Sequence, residues 1–431
     1  MLKTLLLTTI IVAVPFVVSA AIIHVPVDQP TIQAGIDAAV DGDKVLVADG
    51  TYTGEGNRNI DFKGKAISLT SENGARKCII DMGGPDSGEN RGFYFHSNET
   101  SASVLKGFTI CNGYIEVSSI GGAGIMCENA SPSVDSCIIM RNTTGSKNGA
   151  GIYLIDGSPT LTNCLISNNS AVFGEHGAGI YAGYEHFSPY YLLTINNSTI
   201  VNNWCMNTGG QVFSLIDLKI RNCIIWSYYR SGFQWPVLSD VTYSDVSGGF
   251  PGVGNINVDP QLTGYNLNPD GHLLPGSPCR DAGTDDGAPA IDLDGNVRPN
   301  GSAVDMGAYE FFWPSVTTTF ISMPSRLFKA DDSASCSVSV WNAGTSALNG
   351  YPLFTILDVF GSYYFAPSFS DFDYFKWSFP PGLTELSVLP EFTWPDNVGS
   401  ATRIVWYAFL MNPEMTEFAS EVGVFDFGWS E

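Results

Sequence analysis

Lys147, Glu175 and His176 are the residues whose types and placement come nearest to an acid–base set in this 431-residue chain. Lys147-Asn148 and Glu175-His176 each stand directly before the same tetrapeptide, Gly-Ala-Gly-Ile. A fold that stacks these repeats puts the two pairs one repeat apart, with Arg141 and His186 in adjacent loops. An ammonium, a carboxylate and imidazoles within hydrogen-bond reach can donate and accept protons at a substrate. The same residues also fit an exposed ion pair on a turn, which contributes about 1 kcal/mol or less.

Two further groups carry chemistry by type. Asp292-Leu293-Asp294-Gly295-Asn296 offers hard oxygen ligands at alternate positions, as a calcium loop does, with Asp285, Asp286 and Asp305 available to join them after folding. The alternative is a turn whose aspartates bond backbone amides. Trp226, Tyr228 and Trp235 stand among other aromatics, and a sugar ring can stack on an outward-facing indole or phenol. Packing beneath a loop or against another domain is the alternative there. The sequence has no Cys-x-x-Cys or His-x-x-x-His pair for zinc, and no phosphate-binding glycine loop.

These residues have to be positioned by a repeat. Gly-Ala-Gly-Ile occurs at 122–125, 149–152 and 177–180. A second unit recurs as VDSCIIMRN (134–142), LTNCLISNN (161–169), INNSTIVNN (195–203) and IRNCIIWSY (220–228), with KGFTICNG (106–113) as an earlier version. Cys137 to Cys164 is 27 residues, Cys164 to Ser198 is 34, and Ser198 to Cys223 is 25. Strands this short, turned by Gly, Asn and Ser-Pro, predict coils of a right-handed parallel β-helix. Equivalent positions then stack about 4.8 Å apart. Phe108, Cys137, Cys164, Ser198 and Cys223 should form one inward ladder, and Ile110, Ile139, Ile166, Ile200 and Ile225 the next. The cysteines act there as small buried residues with free thiols. Asn142, Asn169 and Asn203 fall at the following turn, where asparagine tolerates left-handed backbone and bonds amides of neighbouring coils.

Both ends of such a solenoid expose strand edges and need covers. TIQAGIDAAV (31–40) places Ile32, Ile36 and Val40 on one helical face, which suits a lid. The first twenty residues have a positive start at Lys3, an apolar run from Leu5 to Val18 and small residues at Val18-Ser19-Ala20. They read as a secretory signal, with a membrane anchor as the alternative. No later stretch is long and apolar enough to span a bilayer, so the mature chain is expected outside the cytoplasm. With 20 Lys plus Arg against 43 Asp plus Glu, nucleic acid and anionic membranes are poor partners. A polyanionic substrate would need a local basic cleft or bridging cations.

The opening PTIQAGIDAAVDGDKVLVADGTYTG resembles the start of pectin-lyase-like β-helices, and the Ser-Pro, Asn-Cys and Gly-Ala-Gly-Ile-Tyr coils resemble bacterial right-handed β-helix repeats. Residues 276–311 resemble the closing segment of exported bacterial choice-of-anchor Q proteins. The residues that carry this are Ser277, Pro278, Asp281, Ala282, Gly283, Asp292, Asp294, Gly295, Asn296, Asp305, Gly307, Ala308, Tyr309 and Glu310. The likeness implies export and a β-helix over residues 22–312, but no single activity. Polysaccharide lyases and hydrolases of this architecture use a Lys or Arg base and clustered acids on an outer face. The aligned Asp and Arg pattern of pectin methylesterases is missing from the coils. After Pro314 the composition turns aromatic, and runs such as SCSVSVWNAG and ATRIVWYAFL alternate as half-buried strands do, so 315–431 reads as a β-sandwich.

Two functions remain open from sequence. One is a rigid exported or cell-surface rod for binding or adhesion, directed to carbohydrate. The other is a polysaccharide lyase or glycoside hydrolase working on the outer face, with calcium as a possible cofactor.

Overall fold

In the computed structural model the described residues are 20–116, 121–173, 176–186, 190–206, 209–227, 233–234, 239–265, 268–369, 372–396 and 399–429. The proposed secretory signal, Glu175, Tyr228 and Trp235 lie outside them, apart from Ala20.

The short strands stack into three long sheets, parallel throughout, and one short one. The first sheet has nine strands, running from Ile22–Val25 through Lys44–Val47 to Ser239–Thr242. The second has eight, from Gly50–Tyr52 to Asp245–Val246, and the third has seven, from Ile60–Asp61 to Phe233–Gln234. A coil visits them in that order, so each strand pairs with its counterpart in the next coil. This is a parallel β-helix. Ile110, Ile139, Ile166, Ile200 and Ile225 are in register and fully buried. Phe108, Cys137, Cys164, Ser198 and Cys223 are also fully buried, and all nine cysteines are free thiols in buried positions.

Asn142, Asn169 and Asn203 bond between coils as expected, but they are not the left-handed residues. Their immediate predecessors Arg141, Asn168 and Asn202 take φ of 55°, 56° and 58°. That twist turns the next side chain inward, where its polar atoms meet backbone, one another and, at Asn203, the Gln211 side chain. The second glycine of each tetrapeptide makes room for this: a Cβ on Gly151 would lie 2.5 Å from the Gly179 carbonyl and 3.0 Å from Asn169 Nδ2.

The N-terminal helix is one turn shorter than its pattern suggests. It spans Ile32–Ala38, with the Thr31 hydroxyl accepting from the Ala34 amide. Ile32 and Ile36 are fully buried over the barrel end, whereas Val40 is 59% exposed. The reason lies at the C-terminus, where Lys65 Nζ donates to the carbonyls of Ile36, Asp37 and Ala39 and ends the helix.

The second sheet is buried on both faces. Its outward residues Ile138, Leu165, Val201 and Ile224 pack beneath Leu262, Leu273, Leu293, Met306, Ala308 and Tyr309. These belong to an antiparallel hairpin (Leu262–Tyr265 with Asn268–Leu273) and to the closing segment. Beyond Pro314, strands Thr318–Ser322, Ser333–Asn342 and Gly382–Thr393 form a sheet that shares a core with a larger one built around Leu348–Val359 and Ala401–Leu410. Pairing within these sheets is antiparallel except for Leu327–Phe328 beside Gly423–Trp429, which suits the expected sandwich. Among the described residues no helix is long and apolar enough to cross a membrane.

Candidate functional site

With the second sheet covered, the outward face of the third sheet offers a built surface. Strand alternation sends Phe93, Ile125, Ile152, Ile180 and Val212 into the barrel. The next position in each strand faces out, and register aligns Asp61, Tyr94, Met126, Tyr153, Tyr181 and Phe213 along the axis. Tyr153 and Tyr181 stack with ring centres 5.0 Å apart, and Tyr181 and Phe213 with centres 5.5 Å apart. Tyr94 lies under His96 at 3.9 Å, and the Arg91 guanidinium stands 5.1 Å from its ring centre. Met126 is buried beneath this layer, against Arg91.

Polar groups border the stripe. Tyr94 Oη donates to Glu128 Oε2 at 2.7 Å, and His96 Nε2 sits 3.3 Å from Asp61 Oδ2. Burial, then the hydrogen bond to Glu128 and its charge, push the Tyr94 phenol up to about 12. Burial first, then Tyr181 and nearby carboxylates, does the same for Tyr153, also to about 12. Both phenols stay neutral near pH 7, and Tyr94 gives its one proton to Glu128. At the far border Asp156 accepts from the amides of Glu185 and His186 and pairs with His186 Nδ1 at 3.0 Å.

His176 reaches this stripe. Its amide donates to Asn148 Oδ1 at 3.0 Å, which aligns the two coils as the repeat implied, and its ring stacks on Phe213 at 4.1 Å. Lys147 is half-buried on the equivalent turn of the preceding coil, where its carbonyl accepts from the Thr144 hydroxyl. His186 does not flank that turn. It sits at the opposite border, because the Asp156 turn holds its amide and ring.

Asp292 is nearly fully buried, and its oxygens accept from the amides of Asp294, Asn296 and Glu310 and from Asn296 Nδ2. A calcium ion bound by Asp292, Asp294 and Asn296 would have to displace these donors. Asp294 instead bonds Arg76 at 3.0 Å and His272 at 2.7 Å. His272 also pairs with Asp270 at 3.3 Å and stacks on Tyr309 at 4.0 Å, so it ties the hairpin, the closing segment and an early coil together. No group of three His, Cys, Asp or Glu residues suited to a metal occurs among the described residues. Trp226 faces outward on the second sheet and is half-buried against the closing layer.

Sequence reasoning passed over Tyr94, Glu128, Tyr153, Tyr181 and Phe213. The signal was partly visible, since Met126, Tyr153 and Tyr181 each follow the tetrapeptide directly. No family model and no curated protein matches the chain. Among solved structures it is similar to a pectate lyase, Pel9A, at 17% identity and a TM-score of 0.38, covering 68% of this chain and 97% of that one.

Proposed function

We propose that the chain is an exported or cell-surface β-helix scaffold that binds a carbohydrate chain along the outward face of its third sheet. The observation that carries this is the register of Tyr94, Tyr153, Tyr181 and Phe213 on consecutive or near-consecutive coils. The stacked rings present a row of apolar edges beside polar groups, which suits the apolar C–H patches and hydroxyl edges of a sugar chain. Glu128, His96 and the Tyr153 phenol supply acceptors and donors for those hydroxyls. The strong negative charge of the chain favours a neutral glycan over an acidic one. Export is supported by the N-terminal apolar segment and by the resemblance of residues 276–311 to choice-of-anchor Q proteins.

The test is affinity electrophoresis across a panel of soluble polysaccharides, with and without calcium. Wild-type protein should be retarded by at least one neutral glycan, and Tyr153→Ala/Tyr181→Ala should lose the retardation while melting cooperatively. Equal retardation of both proteins would sink the assignment to this face.

The second reading is a lyase or hydrolase. It is favoured by a groove of about 640 Å³ between the first sheet and the closing segment, lined by Lys44, Arg76, Lys77 and Lys106. Arg76 and Lys106 are already paired with Asp294 and Asp135, which weakens the groove as a polyanion site. Unsaturated products or new reducing ends in the same panel would favour this reading.

A further inference from the structure

Asp245 is a fully buried carboxyl on the last rung of the second sheet. Its neighbour Val246 points into the barrel, so Asp245 points the other way, beneath the closing segment and in register with Ile224 of the preceding coil. Other buried carboxylates are matched to a cation or to short amide bonds. Glu310 meets Arg298, Asp426 meets Arg326, and Asp305 accepts from the Asp281 and Phe311 amides, both at 2.6 Å. Asp245 has weaker partners. Oδ2 accepts from the Cys279 thiol, a poor donor, at 3.3 Å. Oδ1 accepts from the Val258 amide at 3.3 Å, longer than such bonds usually run. The segment that closes this end of the barrel, with Phe250 on the core and Ile256 bridged to Asp245, also brings Asp259 near. Neither Cys279 nor Asp259 is a cation. Burial dominates and holds the Asp245 carboxyl up at about 7; the two hydrogen bonds pull it down only in part, and Asp259 pushes the same way as burial.

We infer that this end of the β-helix is a pH-operated latch on the C-terminal sandwich, closed while the Asp245 carboxyl keeps its proton and loosened when it gives the proton up. The link runs through residues 258–262. Val258 donates to Asp245, and the Pro260 carbonyl accepts from Ser277 Oγ at 2.6 Å. Gln261 Oε1 accepts from Ser322 Oγ at 3.4 Å, and the Leu262 carbonyl from Arg326 Nη2 at 2.9 Å. The last two bonds cross to the sandwich. An ionised Asp245 left in place is an unpaired buried charge, and the nearest relief is for this strap to move out and admit water. In the open state the carboxyl returns to its ordinary value of about 3.9. The opening constant is therefore lowest below about pH 4, rises by up to about tenfold per pH unit, and levels off above about 7. The inference stands apart from the glycan reading, which uses none of these residues.

Hydrogen–deuterium exchange of the full chain, corrected for the intrinsic pH dependence of exchange, reads the opening peptide by peptide. The interval from about pH 4.5 to 6.5 lies below the range in which His272 and the thiols contribute. Across it, wild-type protection over residues 245–262, 277–283 and 318–328 should fall at least about tenfold, and protection over 125–171 should fall far less. Asp245→Asn keeps the shape of the side chain and stays neutral. Its protection over the same three stretches, taken as the ratio of pH 6.5 to pH 4.5, should be at least about fivefold higher than that of wild type. Asp305, which burial lifts to about 6, titrates in both proteins and cancels from that comparison. Equal profiles in the two proteins overturn the latch, as does a uniform fall over every coil, which belongs to global stability. Loosening of 245–262 with 318–328 unchanged overturns the hold on the sandwich. If Asp245→Asn does not fold, the wild type alone decides, and flat protection over 245–262 sinks the inference.

Discussion

Asn169 Oδ1 accepts two hydrogen bonds from one residue, the backbone amide of Asn142 at 3.1 Å and its side-chain Nδ2 at 3.0 Å. Asn169 in turn donates its amide and Nδ2 to Asn203 Oδ1, and Nδ2 also reaches the Ile139 carbonyl. Gln211 Oε1 plays the acceptor for Asn203 and closes the row, although it comes from the same coil. The row satisfies buried backbone groups at the corner where the chain turns towards the third sheet, and it thereby fixes the stripe that the third sheet displays.

Asn169→Leu should therefore destabilise strongly. It leaves the Asn142 amide and Nδ2, the Ile139 carbonyl and Asn203 Oδ1 short of partners inside the barrel. At about 1–3 kcal/mol for each unsatisfied buried group, a loss of several kcal/mol is expected. Chemical denaturation at pH 7 measures it. A loss below about 1 kcal/mol would mean that the row is decorative.

The cap makes a sharper contrast. Ile36 is fully buried against the barrel end and Val40 is 59% exposed, although the sequence pattern puts both on one helical face. Ile36→Asp buries an uncompensated carboxylate and should cost several kcal/mol. Val40→Asp should shift stability by no more than about 0.5 kcal/mol. Thermal melts of the two variants side by side test the lid and its boundary together.

His272 gives the fold a pH signature. Burial by itself would lower its pKa, but the hydrogen bonds and charges of Asp270 and Asp294 outweigh this and lift it to about 9. In an unfolded chain the value is about 6.5. The stabilisation is thus complete below about pH 6.5, declines as pH rises, and is lost above about 9. The same cluster holds Asp270 at about 2: burial would raise it, and the bonds to His272 outweigh that. Its share is present above about pH 4 and lost towards pH 2. The histidine contributes at most about 3 kcal/mol, less for its partial exposure to solvent. Melting temperature should fall between pH 7 and 10 in the wild type. His272→Gln should start lower and fall less between pH 7 and 8, whereas above about pH 8 both proteins lose stability as the nine buried thiols become able to ionise on unfolding.

The ladders were legible because each repeat writes the same positions again: Cys137 predicts Cys164, and Ile139 predicts Ile166. The Tyr153–Tyr181 stack was legible on the same grounds. Tyr94 and Phe213 were not, since their coils lack the tetrapeptide and only register reveals that they share its outward position. Arg76 and Asp294 are 218 residues apart, and their pairing depends on how the closing segment crosses the second sheet, which no period encodes. That crossing also explains the strands CIIM, CLIS and CIIW. They are apolar at consecutive positions because both of their faces are buried, a pattern that alternation alone reads as one face in and one out. Trp226 is half-buried for the same reason.

Lys147 and His176 separate the two functional readings. If the outer face cleaves a glycan, a proton donor or acceptor must touch the reacting bond, and removing it lowers kcat far more than it raises KM. If the face only binds, the His176 ring acts as one more plane in the stack over Phe213, and Lys147 is a surface cation on a turn. Its 4.1 Å contact with Phe213, close to parallel, favours the second role, because a ring engaged through its face is placed to extend the aromatic surface. His176→Ala should then weaken retardation by a neutral glycan severalfold, His176→Phe should restore it, and Lys147→Ala should leave it unchanged. Phenylalanine cannot carry a proton, so retardation restored by His176→Phe assigns the binding to the ring face, and product formation alone decides whether the position also does acid–base chemistry. Product formation by the wild type that both His176→Phe and Lys147→Ala abolish would instead place the chemistry on these two turns.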